Sequence, residues 1–84
     1  MPQDKVTVIL RIHRRGFETH IEIPLNISAN ELVIALNSAY NLNIDTAYAS
    51  NCFIRAENPI ALLKGNKLLS DFGIRNGSVL NFTE

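Results

Sequence analysis

One short stretch limits the folds open to this chain more than any other: Leu69-Ser70-Asp71-Phe72-Gly73-Ile74-Arg75-Asn76-Gly77-Ser78-Val79-Leu80. Leu69, Phe72 and Ile74 are apolar residues set among turn formers, the pattern of an irregular connection held down by its own side chains. Such a turn needs a core to receive those side chains, so everything upstream has to pack against it. Asn76-Gly77 supplies residues that tolerate positive φ. From Val79 to Phe82 the residues alternate, with Leu80 and Phe82 on one face and Val79 and Asn81 on the other, which predicts a strand with one buried side.

The elements that must meet this turn are legible upstream. Lys5 to His13 alternates, Val6, Val8, Leu10 and Ile12 opposing Thr7, Ile9, Arg11 and His13, as a half-buried strand does. Arg14-Arg15-Gly16 interrupts it. Phe17 to Ile23 resumes the alternation, with Phe17, Thr19, Ile21 and Ile23 opposed to Glu18, His20 and Glu22. The two runs predict a β-hairpin. Making the apolar faces coincide sets Arg11 opposite Glu18 and Ile9 opposite His20, unless a bulge at Gly16 shifts the register. Pro24 ends the second strand. Ser28 followed by Glu31 and an apolar run is a capping box and predicts a helix over 29–40, with Leu32, Ala35, Leu36, Ala39 and Tyr40 turned inward and Ile34 outward. Asn41 and Asn43 end it, and a loop follows that carries Ile44 and Tyr48 inward. Cys52 to Glu57 reads as a third strand with Ile54 and Ala56 inward and Phe53 and Arg55 outward. Asn58-Pro59 ends that strand, and Ile60 to Leu63 is an edge strand at most.

Length and composition narrow the function classes. The 84 residues fit one domain spanning 1–84, close to the lower limit for a core unaided by metal or cross-links. The hydrophobic share of 46% therefore has to enter one shared core. A lone cysteine, Cys52, excludes an internal disulfide and a four-cysteine metal or cluster site, and fits a reducing, cytoplasmic setting. The apolar run Val6 to Leu10 is too short for a signal peptide. Leu32 to Leu36 falls far short of the ~20 residues of a membrane span, so no insertion into a bilayer is expected. Eight basic residues against eight acidic ones provide no long-range attraction to nucleic acid or an anionic membrane.

A hairpin, a helix across it, two short strands, a buried turn and a last strand make an α+β two-layer domain: a mixed sheet of four to five strands with one helix packed on it. The order β-β-α-β-β-β is that of the β-grasp, in which the last strand lies beside the first. The Ser28 cap and the Leu69-Ser70-Asp71 turn resemble ubiquitin over nearly the whole chain. More narrowly, Ile54-Arg55, Asn58, Leu69-Ser70-Asp71, Gly73-Ile74, Asn76-Gly77 and Leu80 resemble, at ungapped spacing, the bacterial ubiquitin-like proteins YukD and EsaB. Ser78 departs from that family, which often has an acidic residue after Asn-Gly. The resemblance implies a small accessory or regulatory component of type VII secretion, in the cytoplasm of Gram-positive bacteria. It also implies docking to protein, for instance a cytoplasmic domain of a membrane component, and supplies no catalytic residues.

The remaining constellations point the same way. A ubiquitin-type modifier or sulfur carrier needs a slim tail ending in Gly-Gly. The sequence ends Asn81-Phe82-Thr83-Glu84, which argues against that role unless a longer precursor is processed. His13 and His20 with Glu18 and Glu22 have metal-ligating atoms, but a solvated face with an Arg11–Glu18 pair accounts for them, and no metal or cofactor is expected. Cys52 lacks an orienting group or oxyanion donor for nucleophilic chemistry, and a core thiol accounts for it. Arg14-Arg15 makes a basic tip without the clustered charge or stacking aromatics of a nucleic-acid reader, and neither phosphate-loop glycine pattern occurs. The remaining candidate is the sheet face turned away from the helix, read as an apolar centre of Ile9, Phe53 and Val79 rimmed by Arg11, Arg55 and Asn81, the composition of a protein-binding surface. A homodimer is compatible with this reading. The reading is a non-enzymatic binding module of secretion, with a ubiquitin-like adaptor unconnected with secretion as the alternative.

Overall fold

The computed structural model describes residues 5–45, 47 and 52–82. Strands β1 (Lys5–Ile12) and β2 (Phe17–Pro24) form the hairpin, helix α1 (Ala29–Tyr40) follows, and β3 (Phe53–Glu57), β4 (Ala61–Lys64) and β5 (Val79–Phe82) complete the sheet. The strand order is β2-β1-β5-β3-β4, with β5 parallel to β1 and every other pair antiparallel. This is the expected mixed sheet, with first and last strands adjacent at its centre.

The hairpin has the register that its apolar alternation predicts. Lys5 pairs with Pro24, Ile9 with His20, Arg11 with Glu18 and Ile12 with Phe17. No bulge intervenes, because a 3-10 turn over His13–Arg15 and a left-handed Gly16 (φ 60°) absorb the reversal. The tip is not free: the Arg15 guanidinium donates to the carbonyls of Tyr40 (2.6 Å) and Asn41 (2.5 Å). A cation therefore satisfies carbonyls that the helix C-terminus leaves open.

Helix α1 is capped as predicted. Ser28 Oγ accepts from Glu31 N–H at 3.1 Å and Glu31 Oε1 accepts from Ser28 N–H at 3.3 Å. The N–H groups of Ala29 and Asn30 donate to the carbonyls of Lys67 and Gly65, so the turn before Leu69 also satisfies donors at the helix start. Its buried stripe differs from the predicted one. Ala29, Leu32, Val33 and Leu36 are buried, whereas Ala35 and Ala39 are exposed. Both stripes share Leu32, Leu36 and Tyr40, and the helix rolls to the side where a valine rather than two alanine methyls is removed from water. Ile34 faces out as expected.

The core joins the inward residues of the sheet to this stripe and to Leu42, Cys52, Leu69 and Ile74. Leu42, between the two asparagines that end the helix, is fully buried, although the pattern gave it no inward role. Asn41 and Asn43 both take left-handed φ (52° and 60°), and these two reversals tuck Leu42 under the helix. Ile44 packs partly inward; Tyr48 lies outside the described residues. Phe17, expected inward, is 42% exposed, because it sits at the hairpin end and meets only the edge of the helix, with its ring 6.0 Å from that of Tyr40.

The turn over Leu69–Phe72 is a 3-10 helix ended by a left-handed Gly73. It is sewn to the segment before the helix by Leu69 N–H to Ile27 O and Ser70 N–H to Leu25 O. In Asn76-Gly77 only the glycine takes positive φ (88°). Asn76 instead uses its side chain, Oδ1 accepting from Thr7 N–H at 2.8 Å, and this ties the entry of β5 to β1. Among the described residues no helix is long and apolar enough to cross a membrane.

Candidate functional site

The face of the sheet away from α1 is organised in rows that cross the strands. Ile9 pairs with His20 on one side and Val79 on the other, and Val79 pairs with Glu57. The next row runs Glu18, Arg11, Asn81, Arg55, Leu62. Beyond it Phe53 pairs with Lys64. All six residues named from the sequence therefore lie on one face, but in an inverted arrangement. Ile9 and Val79 are neighbours, Phe53 is two rows away from them, and Arg11, Asn81 and Arg55 form the middle row rather than a rim. Alternation fixes which face a side chain takes; only the register between strands decides which side chains meet.

Asn81 is also more enclosed than a rim residue. It is buried, and its Oδ1 lies 2.7 Å from His13 Nε2. Arg11 Nε donates to Glu18 Oε1 at 2.8 Å, the cross-strand pair foreseen from the hairpin register. With both side chains near half exposure, this pair contributes at most ~1 kcal/mol. Glu57 and Arg55 each have a β5 neighbour, and Arg55 is exposed.

Two further apolar residues stand on this side, beyond the six that the sequence singles out. Ile60, in the turn before β4, is 92% exposed, and Leu62 on β4 is 42% exposed. The predicted edge strand began at Ile60, whereas β4 begins at Ala61, which leaves Ile60 outside the ladder. The alternation Ile60, Leu62, Lys64 against Ala61, Leu63 held the signal, in a segment too short for its faces to be assigned without its partner strand.

The entry to β5 is fixed by a polar cluster. Ser78 is fully buried; its Oγ donates to Asn58 O at 2.7 Å and accepts from Arg75 N–H at 3.0 Å. Arg75 Nη2 donates to Asn58 Oδ1 at 2.8 Å, holding Asn58 in its left-handed conformation (φ 59°). Cys52 is enclosed in the core, as a structural thiol.

The profile of the family described as WXG100 protein secretion system (Wss), protein YukD, matches residues 5–81. The chain belongs to the YukD family. It is thus a ubiquitin-like protein associated with WXG100, or type VII, secretion. Comparison with curated proteins gave no match. Among solved structures, this YukD-family chain is similar to a de novo designed protein based on ubiquitin (TM-score 0.67, 13% identity, covering 98% of this chain and 90% of that one). It is also similar to the ubiquitin-like domain of Plasmodium falciparum Dsk2 (0.63, 17%, 94% and 99%). A third is the C-terminal ubiquitin-like domain of mouse tubulin-specific chaperone e (0.66, 10%, 96% and 89%). At such identities these likenesses establish the fold: a ubiquitin-like β-grasp, as the order of elements predicts.

Proposed function

We propose that this YukD-family chain is a single cytoplasmic domain that acts in type VII secretion without catalysis, by binding another protein through the open face of its sheet. The observation that carries the reading is the family match over residues 5–81, joined to a sheet whose second face, unlike the first, has no helix over it among the described residues. On that face Ile9, Arg11, Phe53, Arg55, Val79 and Asn81 combine apolar area with cations and an amide, a mixture suited to a protein surface. The partner is a cytoplasmic domain of a membrane component of the apparatus; a second copy of the chain would use the same face.

Affinity capture from detergent-solubilised cells of the source organism tests this, with wild type beside Ile9→Asp combined with Val79→Asp. The variant keeps its circular dichroism and melting temperature, because both side chains lie on the face away from the core. Recovery of a secretion component by wild type alone is expected. Equal recovery by both would move the site away from the Ile9–Val79 row, and recovery of unrelated proteins alone would detach the chain from secretion and favour a general adaptor.

A further inference from the structure

The open face contains two shallow concavities that share a wall. One, of about 670 Å³, lies among Arg11, Arg55, Ile60, Leu62 and Asn81. The other, of about 700 Å³, lies among Phe53, Arg55, Leu62, Lys64 and Asn66. Arg55 and Leu62 line both, and they are direct partners in the β3–β4 ladder. The two concavities therefore join into one trough over the outer strands β3 and β4. Neither Ile9 nor Val79 lines it.

The trough is charged although the chain is neutral overall. Arg11, Arg55 and Lys64 line it against one carboxylate, Glu57. Arg11 is already engaged by Glu18, whereas Arg55 and Lys64 take part in no ion pair among the described residues. Each of these two cations has an apolar neighbour across the ladder, Leu62 beside Arg55 and Phe53 beside Lys64. Beyond them stands the exposed Ile60. A purely apolar partner covering this floor would strip water from Arg55 and Lys64 without replacing it, which is costly. A highly charged polyanion would leave Leu62 and Ile60 unused. The occupant that satisfies both must bring carboxylates and a large apolar side chain in register.

We propose that the trough receives an extended segment of another protein in which one large apolar residue and two acidic residues follow at two-residue steps. This inference rests on the reading that the open face binds protein, and specifies what it binds. In such a segment the apolar side chain covers Ile60 and the two carboxylates meet Arg55 and Lys64. Diagonal neighbours on adjacent strands stand ~7–8 Å apart, close to the ~7 Å between residues i and i+2 of an extended chain. One side of the segment therefore reaches both cations.

The test is an NMR titration of backbone amides with a soluble synthetic peptide of repeating Leu-Thr-Glu-Thr-Glu, and with its counterpart in which Gln replaces Glu. Saturable shifts centred on Arg55, Leu62 and Lys64 are expected, with about tenfold weaker binding of the Gln peptide and weakening by added salt. Arg55→Glu combined with Lys64→Glu changes two exposed side chains and should leave the melting temperature unchanged. It should bind the Glu peptide about tenfold more weakly or worse and gain affinity for a peptide with Lys in place of Glu. No saturable shift, equal binding of Glu and Gln peptides, or shifts centred on Ile9 and Val79 would overturn the proposal. So would concentration-dependent shifts without peptide, which would assign the trough to a second copy, or displacement of the Glu peptide by a short oligonucleotide, which would assign it to phosphate. The charge-reversed variant also separates the two ideas. If it captures the secretion component as wild type does while Ile9→Asp with Val79→Asp does not, the open-face reading stands and the acidic segment falls. If all three proteins capture it equally, the face reading falls as well.

Discussion

Replacing Ser78 by alanine removes a single oxygen from a site that is fully buried, and two hydrogen bonds go with it. The Asn58 carbonyl loses its 2.7 Å donor and the Arg75 N–H loses its 3.0 Å acceptor. Each bond is worth about 1 kcal/mol net, so Ser78→Ala should cost about 2 kcal/mol. In a domain of this size 1 kcal/mol moves the melting temperature by ~4–8 °C, which puts the expected fall near 10 °C. Urea unfolding followed by circular dichroism should show a lower midpoint with an unchanged slope, since the native and unfolded surfaces hardly differ. Ser78→Asp should be worse, because a buried carboxylate there would face the Asn58 carbonyl oxygen and could not donate to it. Ser70→Ala, at an exposed position, serves as the control and should leave the melt unchanged. A Ser78→Ala melt within ~2 °C of wild type would refute the reasoning and show that water reaches both groups without cost.

Leu42→Ala should destabilise by about 2–5 kcal/mol, and an exposed-loop loss below 1 kcal/mol would contradict its full burial. Arg15→Ala removes the donor to the Tyr40 and Asn41 carbonyls and should lower stability by about 1 kcal/mol; an Arg15→Ala melt equal to that of wild type would argue against this role. The Cys52 thiol should react with a thiol reagent slowly in the native protein and at the rate of a small-molecule thiol in denaturing urea, so fast native labelling would contradict its burial.

The parts of this fold that were legible in the sequence are those governed by local chemistry or strict periodicity. Ser28 and Glu31 mark the helix start because their bond pattern lies within one turn. The β1–β2 register follows from matching two apolar faces across a short connection. Legibility fails where position depends on a partner remote in sequence. Asn81 alternates correctly onto the open face yet is buried there, because His13 covers it. Ala35 and Ala39 satisfy helical spacing as well as Val33 does, and only the shape of the sheet below selects between them. Leu42 is enclosed by two left-handed asparagines, a path that no hydrophobic period encodes. The candidate site suffers most. Its six residues share a face, but their order across the sheet depends on β5 lying between β1 and β3, and this pairing turns the proposed rim into the middle row.

That same placement of β5 governs how the molecule comes into being. The central strand follows the other four in sequence, so β1 lacks its inner neighbour until the rest of the sheet has been made. The hairpin and the helix form from contacts near in sequence, but the sheet closes through pairings that span nearly the full length, and such long-range closure slows folding relative to helical domains of similar size. During translation the inward sides of Leu10 and Ala56 stay exposed until Leu80 emerges to lie between them. A nascent chain stalled before Val79 therefore presents an unfinished seam, with β1 and β3 each offering an unpaired edge to whatever strand arrives first.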